Sequence, residues 1–385
     1  MIRNNAFFPL TFGRGEKELA RAAEPEQFSL NVDPATGEIV EGGKEEKGGK
    51  RMKIGLLAAD THNFPNLPLM KISAHYKAEG NRVEWWRADE EYDIVFCSVI
   101  FSETEVPEIT NTKEVHFGGS GINLKKSLPD AIEHTTPDYS IYPQYDFAVG
   151  FLTRGCPRLN HTFCITPKKD GCVSRKVADL SEFWTGQKKI SLLDQNLLAC
   201  KDRIDLLNQL AASGAEIDFK GGLDARFMNE EVIDALRKVN VRNYFFAWDD
   251  PKEDLSDRFE FIATSGIKNP DRIGVYVLTN YWSTTEEDLY RINALRKCGL
   301  LPFVMIYDKQ KFVDEHGKWK KGVEERYSYE ELRHFKICQY MQRWSASRAL
   351  MKSCPDFTQY DMYKRMIEGD ERWLPPALRK RRAKQ

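Results

Sequence analysis

From Met52 onward, short apolar runs alternate with segments whose apolar residues fall at helical spacing. KIGLLAAD (53–60) reads as a buried strand. NLPLMKISAHYKAE (66–79) reads as a helix ended by Gly80, followed by strands at RVEWW (82–86), YDIVFCSVIF (92–101) and EVHFGGSGI (114–122). A second series starts at Asp146 with DFAVGF (146–151) and KISLLD (189–194), the latter followed by a helix at 201–213. EIDFKGGLDAR (216–226) and its helix at 229–239 come next, then NYFFAWDD (243–250) and a helix near 252–264. IGVYVLTN (273–280), a helix at 285–299 and PFVMIYD (302–308) close the series. Strands alternating with helices of this length predict an α/β fold with parallel sheets and helices on their faces.

In the second series the polar residues gather just after the strands: Asp194, Asn196, Asp224, Arg226, Asp249, Asn280 and Asp308. In parallel α/β sheets and barrels the C-terminal strand ends carry the sites. Each of these residues has a second reading as a cap on the following helix. Their recurrence after successive strands favours a ligand-lined mouth.

The pattern sets the outer segments apart. Residues 1–51 include EIVEGGKEEKGGKR, which has almost nothing to bury, and read as a disordered tail. Residues 309–328 read as a charged loop and 329–368 as helical. The basic run RKRRAK (379–384) reads as a solvated terminus or a phosphate-binding arm. This divides the chain into a tail (1–51), a first domain (52–145), a strand–helix series (146–310) and a helical extension (311–385).

Composition adds limits. With 41% hydrophobic and 30% charged residues, a packed globular chain is expected. The net charge of −1 provides no global attraction to nucleic acid or membrane. No apolar run reaches the ~20 residues of a membrane span. Met1–Leu10 lacks the apolar core of a signal peptide, so a cytoplasmic location is expected and a disulfide framework is not. Of the eight cysteines, Cys97, Cys298 and Cys338 fall in apolar patterns and read as buried thiols. Cys156, Cys164 and Cys172 instead share one loop containing Gly and Pro, after the first strand of the second series.

That loop, GFLTRGCPRLNHTFCITPKKDG (150–171), resembles the radical S-adenosylmethionine enzymes, whose hallmark is CxxxCxxC at this position. The likeness lies in Thr153-Arg154-Gly155-Cys156-Pro157-Arg158 before the gap, and in Phe163-Cys164 with Pro167 and Lys168 after it. KVADLSEFW, LLDQNLLACKD, GGLDARFM, YVLTN and PFVMIYDK are also similar to a bacterial and phage-associated group of that family, so the resemblance covers about residues 52–350. It implies a partial (β/α)6 barrel preceded by a small Rossmann-like, cobalamin-binding-like domain. It also implies a 4Fe-4S cluster and S-adenosylmethionine, which generate a 5′-deoxyadenosyl radical, with a reductant such as flavodoxin or ferredoxin as partner. By the family pattern Phe163 lies against the adenine. Asp194, Asn196, Asp224, Arg226 and Asp249 take the positions that hold the amino, carboxylate and ribose groups.

The motif departs from the family form. It reads Cys156-Pro-Arg-Leu-Asn-His161-Thr-Phe-Cys164, so His161 stands where the middle cysteine belongs, with one residue inserted. Either His161 ligates iron through its imidazole, or Cys172 completes a three-thiolate site, or the loop binds no cluster and the chain has a binding or structural role. Imidazole in place of thiolate raises a cluster's potential, which works against reductive cleavage. Asp60-Thr-His62 matches the start of a cobalamin-binding DxHxxG motif, with Pro65 in place of the glycine, and GGSG (118–121) is either that motif's Gly-rich turn or a plain tight turn. Modification of tRNA or another nucleic acid is a further reading, resting on the basic tail.

Overall fold

The computed structural model describes residues 51–61, 63–159 and 161–382. Most of the sequence-predicted tail (1–50), His62 and the last three residues lie outside them. The chain divides into two compact units at Lys126/Ser127.

The first unit is a parallel sheet of β1 (Lys53–Ala58), β2 (Arg82–Trp85), β3 (Tyr92–Ser98) and β4 (Thr112–Gly118) in the order β2-β1-β3-β4. The helix Leu67–Ala78 joins β1 to β2; Asn66 caps it, its side chain accepting from the Leu69 N–H. Its buried residues Leu69, Met70, Ile72 and Ser73 follow the helical period expected for one face against a sheet. The β2–β3 and β3–β4 connections run without a helix longer than a turn, so the helical layer predicted for both faces is thinner than the alternation implied.

The second unit contains β5 (Phe147–Gly150), β6 (Thr153–Arg154), β7 (Arg175–Lys176), β8 (Lys189–Leu192), β9 (Glu216–Phe219), β10 (Tyr244–Trp248), β11 (Ile273–Thr279) and β12 (Leu301–Ile306). Two parallel sheets, β5-β8-β9 and β10-β11-β12, are joined by parallel bridges Ile217↔Val241 and Leu223↔Phe246. The backbone bond from Leu223 N to Phe245 O (2.7 Å) is part of that seam. These strands therefore follow one another in chain order, each after the first reached through a connection containing helix. The helices bury one stripe each: Leu206, Leu207 and Leu210 in Arg203–Ser213, and Val232, Ile233, Ala235 and Leu236 in Glu230–Lys238. At roughly 1.5–3 kcal/mol per fully buried aliphatic side chain, such stripes dominate the packing.

The segment before β5 belongs to this unit. The Tyr139 hydroxyl donates to Phe183 O (2.5 Å) and accepts from Val149 N (3.2 Å), tying residues 127–145 to the first strand. At the other end, the helix Tyr329–Ser345 packs on β12 and buries Phe335, Cys338, Met341 and Trp344. The charged stretch 309–328, read as a loop, contains short helices at Lys309–Phe312 and Val323–Arg326. Three apolar residues among the charges anchor it: Phe312, Val313 and Val323 are buried, and Phe312 stacks on Phe335 with ring centroids 4.2 Å apart. Among the described residues no helix is long and apolar enough to cross a membrane.

Candidate functional site

The cysteine loop leaves the C-terminal end of β5 and is closed at its base by antiparallel pairing of β6 with β7 (Thr153↔Lys176, Arg154↔Arg175). Residues 155–174 are therefore one excursion with both ends pinned. Gly155 makes the entry possible: its φ is +94°, and a Cβ there would stand 2.2 Å from Val173 O. Cys156 N donates to Gly171 O (3.2 Å), so Cys156 sits beside the segment carrying Cys172. Cys164 N donates to His161 O (2.9 Å), which puts His161 and Cys164 on one turn. Cys156 is buried, Cys164 half-buried and Cys172 exposed, and all three are free thiols.

The strand ends supply the frame. Asp194, after β8, is buried and accepts from Leu152 N (3.2 Å), Thr153 N (2.5 Å) and the Thr153 hydroxyl (2.6 Å). Burial pushes its carboxyl up to about 6 against the pull of those hydrogen bonds. It positions the loop's first residues. Gly221 packs directly on this corner, where a Cβ would meet Asp194 O at 2.0 Å.

Asn196 links the loop to the third strand's end: its Nδ2 donates to Asp224 (2.8 Å) and to Cys156 Sγ (3.5 Å). Asp224 accepts from Arg226 N and Nη1 (3.1 and 2.6 Å). The other edge of Arg226 makes a paired contact with Glu253 (2.7 and 2.8 Å). Burial opposes the charge on Arg226, but Glu253 and Asp224 outweigh it and hold the guanidinium protonated. The resemblance casts Arg226 as a ligand for an incoming carboxylate; the structure engages its Nε, Nη1 and Nη2 with protein carboxylates.

His161 and Asp249 meet over β10. The Arg158 guanidinium donates to His161 Nε2 and to Asp249 Oδ2 (3.3 Å), and His161 Nδ1 lies 3.8 Å from the same carboxylate oxygen. His161 is 6% exposed. Burial, then the Arg158 and Arg226 charges, push its imidazole down to about 3, so it is neutral near neutral pH with a lone pair at Nε2. Burial holds the Asp249 carboxyl above the usual carboxylate range. Arg158 Nε is buried with no hydrogen-bond partner, a donor left for another group.

An aromatic wall completes the mouth. Phe163 stacks on His161 (centroids 5.0 Å) and meets Tyr281 edge-on (5.4 Å), while Tyr281 contacts Tyr307 (4.5 Å). Tyr281 and Tyr307 follow β11 and β12, where Asn280 and Asp308 take positive φ (61° and 50°), conformations that Asn and Asp tolerate better than other non-glycine residues. The Asn280 amide donates to Tyr307 O (2.9 Å) and joins the two strand ends.

Phe163, Asp194, Asn196, Asp224, Arg226, Asp249, Cys156, His161 and Cys164 are thus linked at one end of the strand series, with Cys172 nearby but facing outward. Sequence reasoning missed Tyr281, Tyr307 and Glu253. The two tyrosines carry a faint signal, an aromatic within two residues of a strand end; Glu253 carries none. In the first unit, Asp60 spends one carboxylate oxygen on Ile100 N, Phe101 N and Thr104 Oγ1 (2.8, 2.9 and 2.8 Å). The GGSG turn packs on the chain's own backbone: a Cβ on Gly119 would meet Val99 O at 2.2 Å and one on Gly121 would meet Phe101 O at 2.6 Å. The chain's own tight turn requires these glycines. Comparison with protein-family models finds no match, and comparison with curated proteins finds none either.

Proposed function

We propose that the pinned loop and the strand ends around it form a radical S-adenosylmethionine site at the mouth of a partial (β/α)6 barrel. Cys156, Cys164 and His161 would hold a 4Fe-4S cluster, and S-adenosylmethionine would lie beside Phe163. The observation that carries the reading is the donor set: a neutral imidazole on the same turn as one thiol, and a second thiol held by Asn196. In support of the reading, Nε2 of His161 bears a lone pair and each cubane ligand needs to reach only its own iron.

Such a cluster, drawing on a flavodoxin- or ferredoxin-like reductant, would supply one-electron reduction that cleaves a C–S bond of S-adenosylmethionine to give a 5′-deoxyadenosyl radical. The chain's own residues prepare the site. Asp194 holds the N–H groups of Leu152 and Thr153 and so fixes where the loop begins. The Asn196 amide donates to the Cys156 sulfur and orients it. Asp249 Oδ2 lies 3.8 Å from Nδ1 of His161, where it would favour the Nδ1–H tautomer that leaves Nε2 for a ligand. Arg158 must swing off Nε2 for that ligation, and its guanidinium is then available to a carboxylate on the incoming ligand.

A second reading has its own observation. Both ring nitrogens of His161 already face Arg158 and Asp249, and Arg226 is held by Asp224 and Glu253, as in a loop that has become a structural or binding element. Anaerobic reconstitution with iron and sulfide separates the two. About four irons per chain, lost in C156A and C164A, with a reduced-state EPR signal altered by S-adenosylmethionine, supports the enzyme. Iron at the level of the double variant C156A/C164A overturns it in favour of the cluster-free protein.

A further inference from the structure

Among the described residues, one group of three metal-ligating side chains has its donor atoms within 4.8 Å of one another: Asp288, His334 and Cys338. None of the three belongs to the cysteine loop, and their arrangement does not depend on the function proposed for that loop. His334 and Cys338 stand four apart on the helix Tyr329–Ser345, so they share a face. Asp288 comes from the first turn of the facing helix Thr285–Lys297, whose start is set by the Thr284/Glu287 capping box.

Cys338 Sγ is 3.7 Å from His334 Nε2. Asp288 and Cys338 are fully buried and His334 half-buried.

A buried Asp in this place needs an explanation. Arg291, itself fully buried, neutralises it through Oδ1 (2.5 Å). The same guanidinium donates to Trp248 O, Asp249 O and Leu278 O (2.8, 3.1 and 2.8 Å). Asp288 Oδ2 has no hydrogen-bond partner, although the Ser283 hydroxyl stands beside the carboxylate. A carboxylate oxygen wholly withdrawn from water and left unpaired is costly, and it is not needed to hold Arg291. A cation bonded to that oxygen removes the cost.

We propose that Asp288, His334 and Cys338 bind one zinc-type divalent ion that ties the helix Tyr329–Ser345 to the helix after β11. One sulfur, one imidazole nitrogen and one carboxylate oxygen are the donors of a tetrahedral zinc site, with water in the fourth position. On binding, the thiol releases its proton to solvent as the metal–sulfur bond forms. Two donors on a tetrahedral zinc lie roughly 3.3–3.6 Å apart, so the Cys338–His334 pair at 3.7 Å is already close to ligating separation and any closure falls mainly to Asp288.

The test is cobalt or zinc binding to the full chain in a C156A/C164A background, which removes the loop thiols as competitors. The expected result is about one ion per chain, with a cobalt–thiolate charge-transfer band. C338S should lose the band, and the half-buried substitution H334Q should weaken binding at least ~10- to 100-fold while circular dichroism stays unchanged. Absence of stoichiometric binding in the C156A/C164A chain, or binding unchanged by both C338S and H334Q, overturns the site.

Discussion

Thr153 donates twice to a single oxygen of Asp194, from its backbone N–H at 2.5 Å and its hydroxyl at 2.6 Å, across 41 residues of sequence. This contact holds the first turn of the cysteine loop to the second strand of its series. Its pH behaviour follows from the Asp194 carboxyl, raised by burial to about 6 from 3.8. Between those values the folded chain binds the proton and the unfolded chain does not, so this group's contribution to stability falls as pH rises from about 4 to 6. The full effect is about 3 kcal/mol, at 1.36 kcal/mol per pKa unit. D194N, which cannot titrate, should remove that downward component. Urea unfolding of both proteins from pH 4 to 7 checks this: the wild-type chain loses ground relative to D194N as pH rises, and a constant difference would refute it.

Arg158 and Asp249 are 16% and 15% exposed, and their contact is 3.3 Å. Removing the guanidinium leaves a carboxylate mostly buried and short of a partner. R158M should therefore lower stability by about 3 kcal/mol. D249N removes the charge that needs pairing, so the double variant R158M/D249N should lose less than the sum of the two single losses. Thermal unfolding of the four proteins gives the coupling directly, and additive losses would show that the pair does not act as a unit.

Gly155 enters the loop at φ +94° with Val173 O where a Cβ would go. G155A must shift backbone as well as adopt a conformation strained for alanine, at a loss of at least about 2 kcal/mol. Because the strain falls at the β6–β7 base, the loop should open first. Limited proteolysis should cut within 155–174 faster in G155A than in the wild type, and equal cleavage rates would count against a pinned loop.

The pair Arg291–Asp288 is wholly buried, each side chain 0% exposed. Arg291 also satisfies three backbone carbonyls at the ends of β10 and β11. R291M removes the counter-charge and those donors together and should destabilise the second unit by about 3–5 kcal/mol. A melting temperature within a degree of wild type would mean that the ends of β10 and β11 are held by something else.

The order and type of the strands and helices were legible in the chain because alternation and helical spacing are local properties of a few consecutive residues. So was the placing of polar residues after successive strands and of the cysteines in the loop after β5. Local spacing could not show that Arg158 meets Asp249, 91 residues away, or that Glu253 occupies the outer edge of Arg226. It also hid the buried anchors in the stretch 309–328, whose charges outnumber Phe312, Val313 and Val323. The likeness of the loop to radical S-adenosylmethionine enzymes, and the substitution of His161 for a cysteine, stand in the sequence alone.

What the sequence by itself determined, then, is which segments become strands and helices and which donor types stand in the loop. Only the tertiary structure decided which donors meet. Strand pairing sets which strand ends lie side by side, and the helices set how far each side chain reaches past them. Asp288, His334 and Cys338 converge for that reason, from two helices packed beside the ends of β11 and β12.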